Sequence, residues 1–462
     1  MAHAPHTFQP PPGTRDFYPQ EMALRRYIEE TWRRVSLRHG FVEVDGPTFE
    51  YLDLYKVKSG DEIVSQLFHF ESRGEDKKEF ALRPEFTPTL ARMIAAKANS
   101  LPRPIKWFSI PRCYRSERQQ KGRLREFIQW NVDIVGDASI NADVEIIALC
   151  VDALREFGLT TEDVRVEWNN REMLVKALTE KVTTAERIPA AFRILDKIGK
   201  LRPEDREKLY IDEACSEKER MVFEGLHSIV QKGLDVIGTE QAAAAEDFIL
   251  EFNNYFLEMA KPTAERLKNA GLGKYSRAQM MIVRGLAYYT GLVFEVFDKS
   301  GASRAIAGGG RYDKLIEMFG GPSLPAVGFG MGDVVLENIL REKGKLPVNL
   351  VSAPDVFVVS VLDDPAPAYV TLSELRTSQW NPEHTKISQT GLSAVSSYKT
   401  TKNIGKLLQE ASASGAKLAL ILAPAEYDRG IVKLKNLATR EEKEIPKDQI
   451  LAAVRAALQR GP

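Results

Sequence analysis

Cysteine is scarce in this chain: Cys113, Cys150 and Cys215 are all it has in 462 residues. They are too few and too scattered for a disulfide framework or a zinc cluster, and they fit a reducing compartment. Long hydrophobic runs are missing as well. No apolar stretch approaches the roughly 20 residues that span a bilayer. The first residues, Met1-Ala2-His3-Ala4-Pro5-His6 and then Gln9-Pro10-Pro11-Pro12, hold no apolar core of a signal peptide. Charge of one sign is not in excess: Lys plus Arg and Asp plus Glu are both 64. A charged partner therefore has to meet a local patch and not the field of the whole molecule. No internal repeat is visible. The expectation is a soluble, cytoplasmic protein with no membrane partner.

What is present is an ordinary globular balance. Hydrophobic residues are 44% and charged residues 28%, which excludes a disordered chain. The length calls for about two or three domains. Residues 21–39 carry Leu24, Tyr27, Ile28, Trp32, Val35 and Leu37 at roughly helical spacing and predict an amphipathic helix. Residues 41–44 alternate like a strand and stop at Gly46-Pro47. Further strands are predicted near 80–82, 105–114 and 125–135, then a helix over 143–157 with Asp143 at its start. Strands that run together with helices at the flanks predict an antiparallel sheet in an α+β domain. Residues 183–270, rich in Ala, Glu, Lys and Leu, predict a helical insertion with one long helix over 239–259. Strands return at 280–282 and 292–298, and Gly328 to Gly332 opens a helix running to Leu340. The first domain is thus 1–182 with 271–340, and 341–354 reads as a linker. Beyond it, strand and helix alternate at 356–362, 369–378, 403–414 and 418–422. This predicts a small α/β domain over 355–462 with a parallel or mixed sheet.

Three segments carry the chemistry. In the first, Arg112, Arg115, Arg118, Lys121, Arg123 and Arg125 stand against Glu117 and Glu126, in a pattern of strand, charged loop with Gly122, strand. Such a hairpin can hold several guanidinium forks over one concave sheet face, which suits phosphate oxygens. A solvated charged hairpin would be spelled the same way. Here, however, Gln129 and Asp133 lie four apart on the returning strand and share a face, which points to a pocket. The second segment sets Arg284, Tyr288, Tyr289 and Thr290 among Gly285 and Gly291. Adjacent tyrosines there suit core packing and a site for a heteroaromatic ligand equally. The third is Arg83-Pro84-Glu85-Phe86-Thr87-Pro88. Thr87 could cap a helix over 89–97, and Glu85 could be a carboxylate fixed to receive an ammonium group.

In their joint order these segments resemble the class II aminoacyl-tRNA synthetases, and specifically the histidyl-tRNA synthetase family. Tyr114, Arg115, Glu117 and Arg118, with Gly122, Arg123, Arg125, Glu126 and Phe127, are similar to that family's motif 2. Arg284-Gly285-Leu286-Ala287-Tyr288-Tyr289-Thr290-Gly291 is similar to the signature that sets the histidyl enzymes apart. Gly13-Thr14-Arg15-Asp16 and Pro47 fit the family's N-terminal region and motif 1. The resemblance covers nearly the whole chain. It implies a class II antiparallel-sheet catalytic domain with a helical insertion, followed by an anticodon-binding domain over 355–462. It also implies activation of L-histidine by ATP, with Mg2+ accompanying ATP, transfer to the 3′ end of tRNA(His), and a homodimer.

Roles follow from the same resemblance. Arg115 meets the α-phosphate and the histidine carboxylate, and Arg284 approaches from the opposite side as the second catalytic cation. Arg123 reaches the terminal phosphates, and Glu117 lies near the adenine amine. Glu85, Thr87 and Gln129 hold the α-ammonium. Asp133 and Tyr289, with Tyr288 beside them, read the imidazole. Lys399, Lys402 and Lys406, with Lys417 nearby, are candidates for a tRNA-binding face, although each alone reads equally as a solvated surface lysine. No protein-held metal site is expected. One departure stands out. Class II motif 3 carries an arginine that stacks on adenine, and Val335 occupies that place; Met331 and Phe329 could cover the ring or belong to the core. The competing reading is a non-catalytic, synthetase-like regulatory subunit of ATP phosphoribosyltransferase that senses histidine. Such paralogues lack the anticodon-binding domain.

Overall fold

The structure, a computed structural model, describes residues 8–59, 61–73, 77–116, 122–199, 201–232, 243–283, 289–300 and 304–459. The chain divides into two units, Met1–Val348 and Asn349–Pro462. The first begins with α1 (Pro19–Arg38), β1 (Val42–Glu43), β2 (Phe49–Tyr51), α2 (Leu52–Ser59), β3 (His69–Glu71), β4 (Glu79–Leu82) and α3 (Thr87–Lys97). It continues through β5 (Ile105–Ser109), β6 (Arg112–Tyr114), β7 (Glu126–Val135), α4 (Ile140–Glu156) and β8 (Val164–Asn170). Helices follow: α5 (Arg171–Lys181), α6 (Ile188–Ile198), α7 (Pro203–Asp212), α8 (Glu217–Lys232) and α9 (Ala243–Asn269). Then come β9 (Ser276–Ala278), β10 (Leu292–Asp298), β11 (Ala307–Arg311), α10 (Leu315–Met318), β12 (Ala326–Gly332) and α11 (Asp333–Glu342).

The large sheet runs β1-β5-β7-β12-β11-β10-β8-β9, with β6 paired to β7. Its interior pairs are antiparallel, and only the two edge pairs, β1 with β5 and β8 with β9, are parallel. One face is packed by α1 and α4. Leu24, Ile28, Trp32 and Val35 of α1 are buried at helical spacing, and Trp32 stacks on Trp130 of β7 at 5.8 Å. Trp130 in turn meets Phe329 edge-on at 5.0 Å, and Phe294 lies 6.1 Å from Phe329. Each such buried aromatic contributes on the order of 1.5–3 kcal/mol. Trp130 has its N–H satisfied by the Ser36 hydroxyl at 3.0 Å. This row of rings fixes which residues face backward. By alternation Gln129, Asn131 and Asp133 of β7 face forward.

The first unit departs from the sequence expectations at several places. The long helix expected over 239–259 runs on to Asn269, and the strand expected over 105–114 is two, β5 and β6. The helix at 143–157 begins at Ile140, so Asp143 is not its start but a buried partner of Arg311 (2.7 Å). The strand expected at 280–282 lies instead at Ser276–Ala278, pairing parallel with β8. The apolar residues beyond it turn, and the Asn169 amide donates to the carbonyls of Met280 (3.0 Å) and Ile282 (3.2 Å). Residues 328–332 belong to β12, and the helix opens only at Asp333. Helix α3 begins at Thr87 itself, its N-cap is Phe86, and no side chain caps it.

The second unit contains β13 (Val356–Ser360), α12 (Ala366–Arg376), β14 (Gln379–Trp380), β15 (Ile387–Gln389), β16 (Ala394–Ser396) and α13 (Ile404–Ala413). It ends with β17 (Leu418–Leu422), α14 (Pro424–Tyr427), β18 (Ile431–Asn436), β19 (Glu442–Pro446) and α15 (Ile450–Gln459). Its sheet, β16-β13-β17-β18-β19, is mixed: β13 is parallel to β16 and β17, and the last pairs are antiparallel. β17 is buried at every position, as a central strand covered on both faces must be. Asn403 caps α13 by accepting from the Lys406 N–H. Gly415, at φ +73°, closes the turn that follows it.

Candidate active site

The forward face of the large sheet is paved with glycine. In β12, Gly328, Gly330 and Gly332 alternate onto it, opposite Asp133, Asn131 and Gln129. In β11, Gly308 and Gly310 continue the same rows, opposite Gly330 and Gly328. Missing side chains leave a cleft of about 580 Å³, lined among others by Arg115, Arg123, Phe127, Gln129, Glu295, Arg304 and Val335. The space is also needed by neighbours. A Cβ on Gly330 would sit 2.9 Å from the Gln129 amide nitrogen, and one on Gly328 would strike the Asp133 carboxylate.

The hairpin of β6 and β7 forms one wall. The Arg115 N–H donates to the Arg125 carbonyl at 2.9 Å. Its guanidinium donates to the Pro84 carbonyl at 3.2 Å and lies 5.0 Å from the Phe127 ring centroid. These contacts aim Arg115 along the cleft and tie it to the turn that holds Glu85 and leads into α3 at Thr87, both residues partly buried. Arg123 is exposed near the turn of the hairpin, beside Gly122 at φ +80°. The N-terminal segment braces this wall: the Gly13 carbonyl accepts from the N–H groups of Arg125 (2.8 Å) and Glu126 (3.2 Å). Asp333, buried at the start of α11, accepts from the Ile128 N–H at 2.9 Å and pairs with Arg15. Beneath the wall, burial pushes the Cys113 thiol up to about 12, so it is no nucleophile at neutral pH.

Deeper along the face, Asp133, Gly328, Gly310 and Val293 form one row across the sheet. Asp133 accepts a short hydrogen bond from the Tyr312 hydroxyl. Tyr289 is buried and packs where a Cβ on Gly310 would come within 2.9 Å of its ring. A carboxylate and a phenol thus stand over neighbouring bare positions, in a region otherwise walled by Phe86, Val135, Val293 and Tyr312. On the far side of Tyr289 a second cavity of about 1050 Å³ opens toward α5 and α6. Arg171 lines it, donating to the Val283 carbonyl at 2.8 Å and stacking on Phe192 at 4.3 Å. Burial lowers the Arg171 pKa from its ordinary value.

The structure therefore gathers Arg115, Arg123, Gln129, Asp133 and Tyr289 on one face, with Glu85 in the turn that Arg115 holds and Thr87 at the start of α3 that follows it. Glu117, Arg284 and Tyr288 lie outside the described residues. Lys399, Lys402 and Lys406 are exposed around the β16–α13 connection, where Lys399 pairs with Glu410 at 3.0 Å and Lys402 with Asp363. Lys417 pairs with Asp355 at 2.8 Å. Phe329 and Met331 face backward into the core, so neither covers a ligand in the cleft. Tyr312, Glu295 and Arg304 join the site without a role expected from the sequence. Tyr312 follows a conspicuous glycine cluster, the one signal that could have pointed to it. Among the described residues, no group of three or more His, Cys, Asp or Glu is placed to hold a metal ion, and no helix is long and apolar enough to cross a membrane.

Comparison with known proteins adds to this geometry. The model of a family described as histidyl-tRNA synthetase matches residues 13–333, and that of an anticodon-binding domain matches residues 384–457. A histidine–tRNA ligase of Opitutus terrae is 40% identical over 97% of this chain and 98% of its own. One of Leptospira biflexa is 35% identical over 93% of each. Among solved structures, histidyl-tRNA synthetase from Nostoc aligns over 98% of this chain and all of its own, with a TM-score of 0.72 at 23% identity. An ATP phosphoribosyltransferase regulatory subunit/histidyl-tRNA synthetase from Bacillus halodurans aligns over 91% of this chain, with a TM-score of 0.61 at 20% identity. At these identities both structures speak for the fold alone.

Proposed function

The chain belongs to the histidyl-tRNA synthetase family, and from that premise we propose how its cleft is divided between histidine and ATP. The activity is that of an aminoacyl-tRNA ligase: histidine is activated with ATP to the adenylate and transferred to tRNA(His). One observation carries the division. Gln129 and Asp133 face forward from one strand onto a glycine floor, with Arg115 fixed across it. In this reading the deep row of Asp133 and Tyr289, with Tyr288, takes the imidazole. Glu85, Thr87 and Gln129 take the α-ammonium, and Arg115 bridges the carboxylate and the α-phosphate. Arg123 and Glu117 serve the outer parts of ATP, and Arg284 is the cation on the opposite side. Adenylation needs little proton transfer; it needs reactants aligned and charge on phosphorus neutralised, which guanidinium forks supply. Magnesium enters as the counter-ion of ATP, and the Glu295 carboxylate on the cleft wall suits its preference for oxygen.

The regulatory reading is disfavoured by the second unit, since residues 384–457 match an anticodon-binding domain. Around the β16–α13 connection, Lys399, Lys402 and Lys406 are proposed tRNA contacts, weakened singly by the ion pairs of the first two. A homodimer is proposed from the small β2-β4-β3 sheet, where Phe49, Tyr51 and Phe70 are 48%, 54% and 44% exposed. Exposed aromatics grouped on one sheet mark an association surface, and a two-fold copy is the commonest occupant. A cytoplasmic location is proposed with the role in translation. The test of the function is exchange of pyrophosphate into ATP. Histidine, and no other standard amino acid, is expected to stimulate it with magnesium present. Tight histidine binding without exchange at any protein concentration would favour the regulator.

A further inference from the structure

The hairpin wall of the cleft presents an aromatic ring, Phe127, while the end of β12 presents Gly330 and Gly332 and the first turn of α11 presents Val334 and Val335. With Phe329 and Met331 turned into the core, no planar group of β12 faces a ligand there. An arginine nevertheless reaches this end of the sheet. In the β11–β12 ladder Ala307 pairs with Met331. Those two strands are antiparallel, so the residues just before β11 and the residues just after β12 leave the sheet at one end, which brings Arg304 to the same end as Val334 and Val335. All three line the cleft. Arg304 is exposed, and it comes from the wall that carries Glu295 and Phe297, not from the hairpin that carries Arg115 and Arg123. A flat ligand between the walls would meet a ring on one side and a guanidinium on the other. A guanidinium is planar and stacks on aromatic faces while its N–H edges remain free to meet oxygens; an ammonium meets oxygens but has no plane to stack.

We propose that Arg304 is the purine-binding cation of this site, stacking on the adenine of ATP from the β10–β11 side in the place an arginine at 335 would fill. The proposal rests on the reading of the cleft as the ATP site. It adds a residue that the sequence reading did not assign, and it accounts for Val335 without loss of activity.

The test uses the full-length protein and steady-state pyrophosphate exchange, with ATP varied at saturating histidine and histidine varied at saturating ATP. Arg304→Ala is expected to raise KM for ATP roughly tenfold, about 1.4 kcal/mol, and to leave KM for histidine within about twofold. Arg304→Lys should recover little of the loss, because it keeps the charge and loses the plane. Val335→Arg added to Arg304→Ala should recover most of it. Melting curves check that the variants fold, and Arg304→Gln serves should Arg304→Ala not. An unchanged KM for ATP in Arg304→Ala overturns the proposal, as do equal losses for ATP and histidine. A lysine as good as the arginine also overturns it, since the residue would then act as a point charge on phosphates or on Glu295. Failure of the unmodified protein to exchange at all sinks the functional reading instead, and that result precedes any variant.

Discussion

At the scale of single residues the proposed imidazole pocket turns on Asp133. Its carboxylate is buried, takes the Tyr312 hydroxyl, and stands in the row where Tyr289 packs over Gly310. An ionised carboxylate has acceptor capacity for more than one donor, so a ring N–H can be served beside the phenol. Asp133→Asn keeps an oxygen for Tyr312 but loses the charge and can turn a donor toward a donor. A hydrogen bond to a charged group contributes about 1.5–3 kcal/mol, so histidine affinity should fall roughly ten- to a hundredfold while ATP affinity stays nearly constant. Equal losses for both ligands in the folded variant defeat the assignment. The role proposed for Arg284 calls for a different measurement, because a cation aimed at charge that develops during reaction acts on rate. Arg284→Ala should slow single-turnover adenylation by about a hundred- to a thousandfold, or about 2.7–4 kcal/mol. If the rate holds and histidine affinity collapses, Arg284 is a binding residue.

At the scale of elements the cleft exists because two adjacent strands omit their side chains. Gly330→Ala would bring a methyl group against the Gln129 side chain, within 2.9 Å of its amide nitrogen, so the fold should survive while Gln129 is displaced. KM for histidine is expected to rise several-fold with little change in melting temperature; an unchanged KM would mean that Gln129 does not touch histidine. A second element-level device joins α1 to α4. His39 lies 3.2 Å from Glu145 and 3.1 Å from Asp152, and Lys106 reaches Glu145 at 3.0 Å. The hydrogen bond to Glu145 raises the His39 pKa above its ordinary 6.5, against the opposing effect of burial. The same bond, with help from Lys106, brings Glu145 down to about 2. A raised histidine pKa stabilises the fold fully below 6.5 and loses that effect as pH rises through the folded value. The lowered glutamate stabilises above its ordinary 4.5 and is lost only as pH falls toward 2. The tie is therefore strongest between about pH 4.5 and 6.5. His39→Gln should flatten the decline in melting temperature between pH 6 and 8; an unaltered slope would remove His39 as its source. Much of this layer was legible in the sequence. The strand expected over 292–298 became β10 residue for residue, and the shared face of Gln129 and Asp133 followed from spacing alone. The β11 strand was not legible, because Gly308, Gly309 and Gly310 have no strand propensity of their own; pairing with β10 and β12 imposes it. The apolar run at 280–282 misled for the opposite reason: its residues favour a strand, but Asn169 holds their carbonyls in a turn. The Arg304–Val335 relation needed the register of two strands, which no local pattern encodes.

At the scale of the whole molecule the chain is two units with separate hydrophobic cores. In the second, Val356, Val358, Leu420 and Val432 pack among residues of their own unit, and in the first Phe86, Tyr289, Val293 and Tyr312 do the same. Each sheet closes within its unit, so neither needs a strand from the other. Units of this kind can act separately. Every described residue proposed for histidine or ATP lies before Val348, and every lysine proposed for tRNA lies after it. Ending the chain at Val348 should therefore leave a folded protein whose histidine-dependent pyrophosphate exchange stays within a few-fold of the full chain. Charging of tRNA(His) should fall far more, because the phosphate contacts proposed for the second unit would supply salt-dependent affinity. The salt dependence gives an independent readout: charging by the full chain should weaken steeply as salt rises, while exchange should weaken much less. Adding the separately produced unit 349–462 should not restore charging at equal concentrations, since a linker holds its partner at an effective concentration that free mixing does not reach. Loss of exchange together with charging in a folded truncation would show that the second unit supports adenylation itself, and the division of labour would fail.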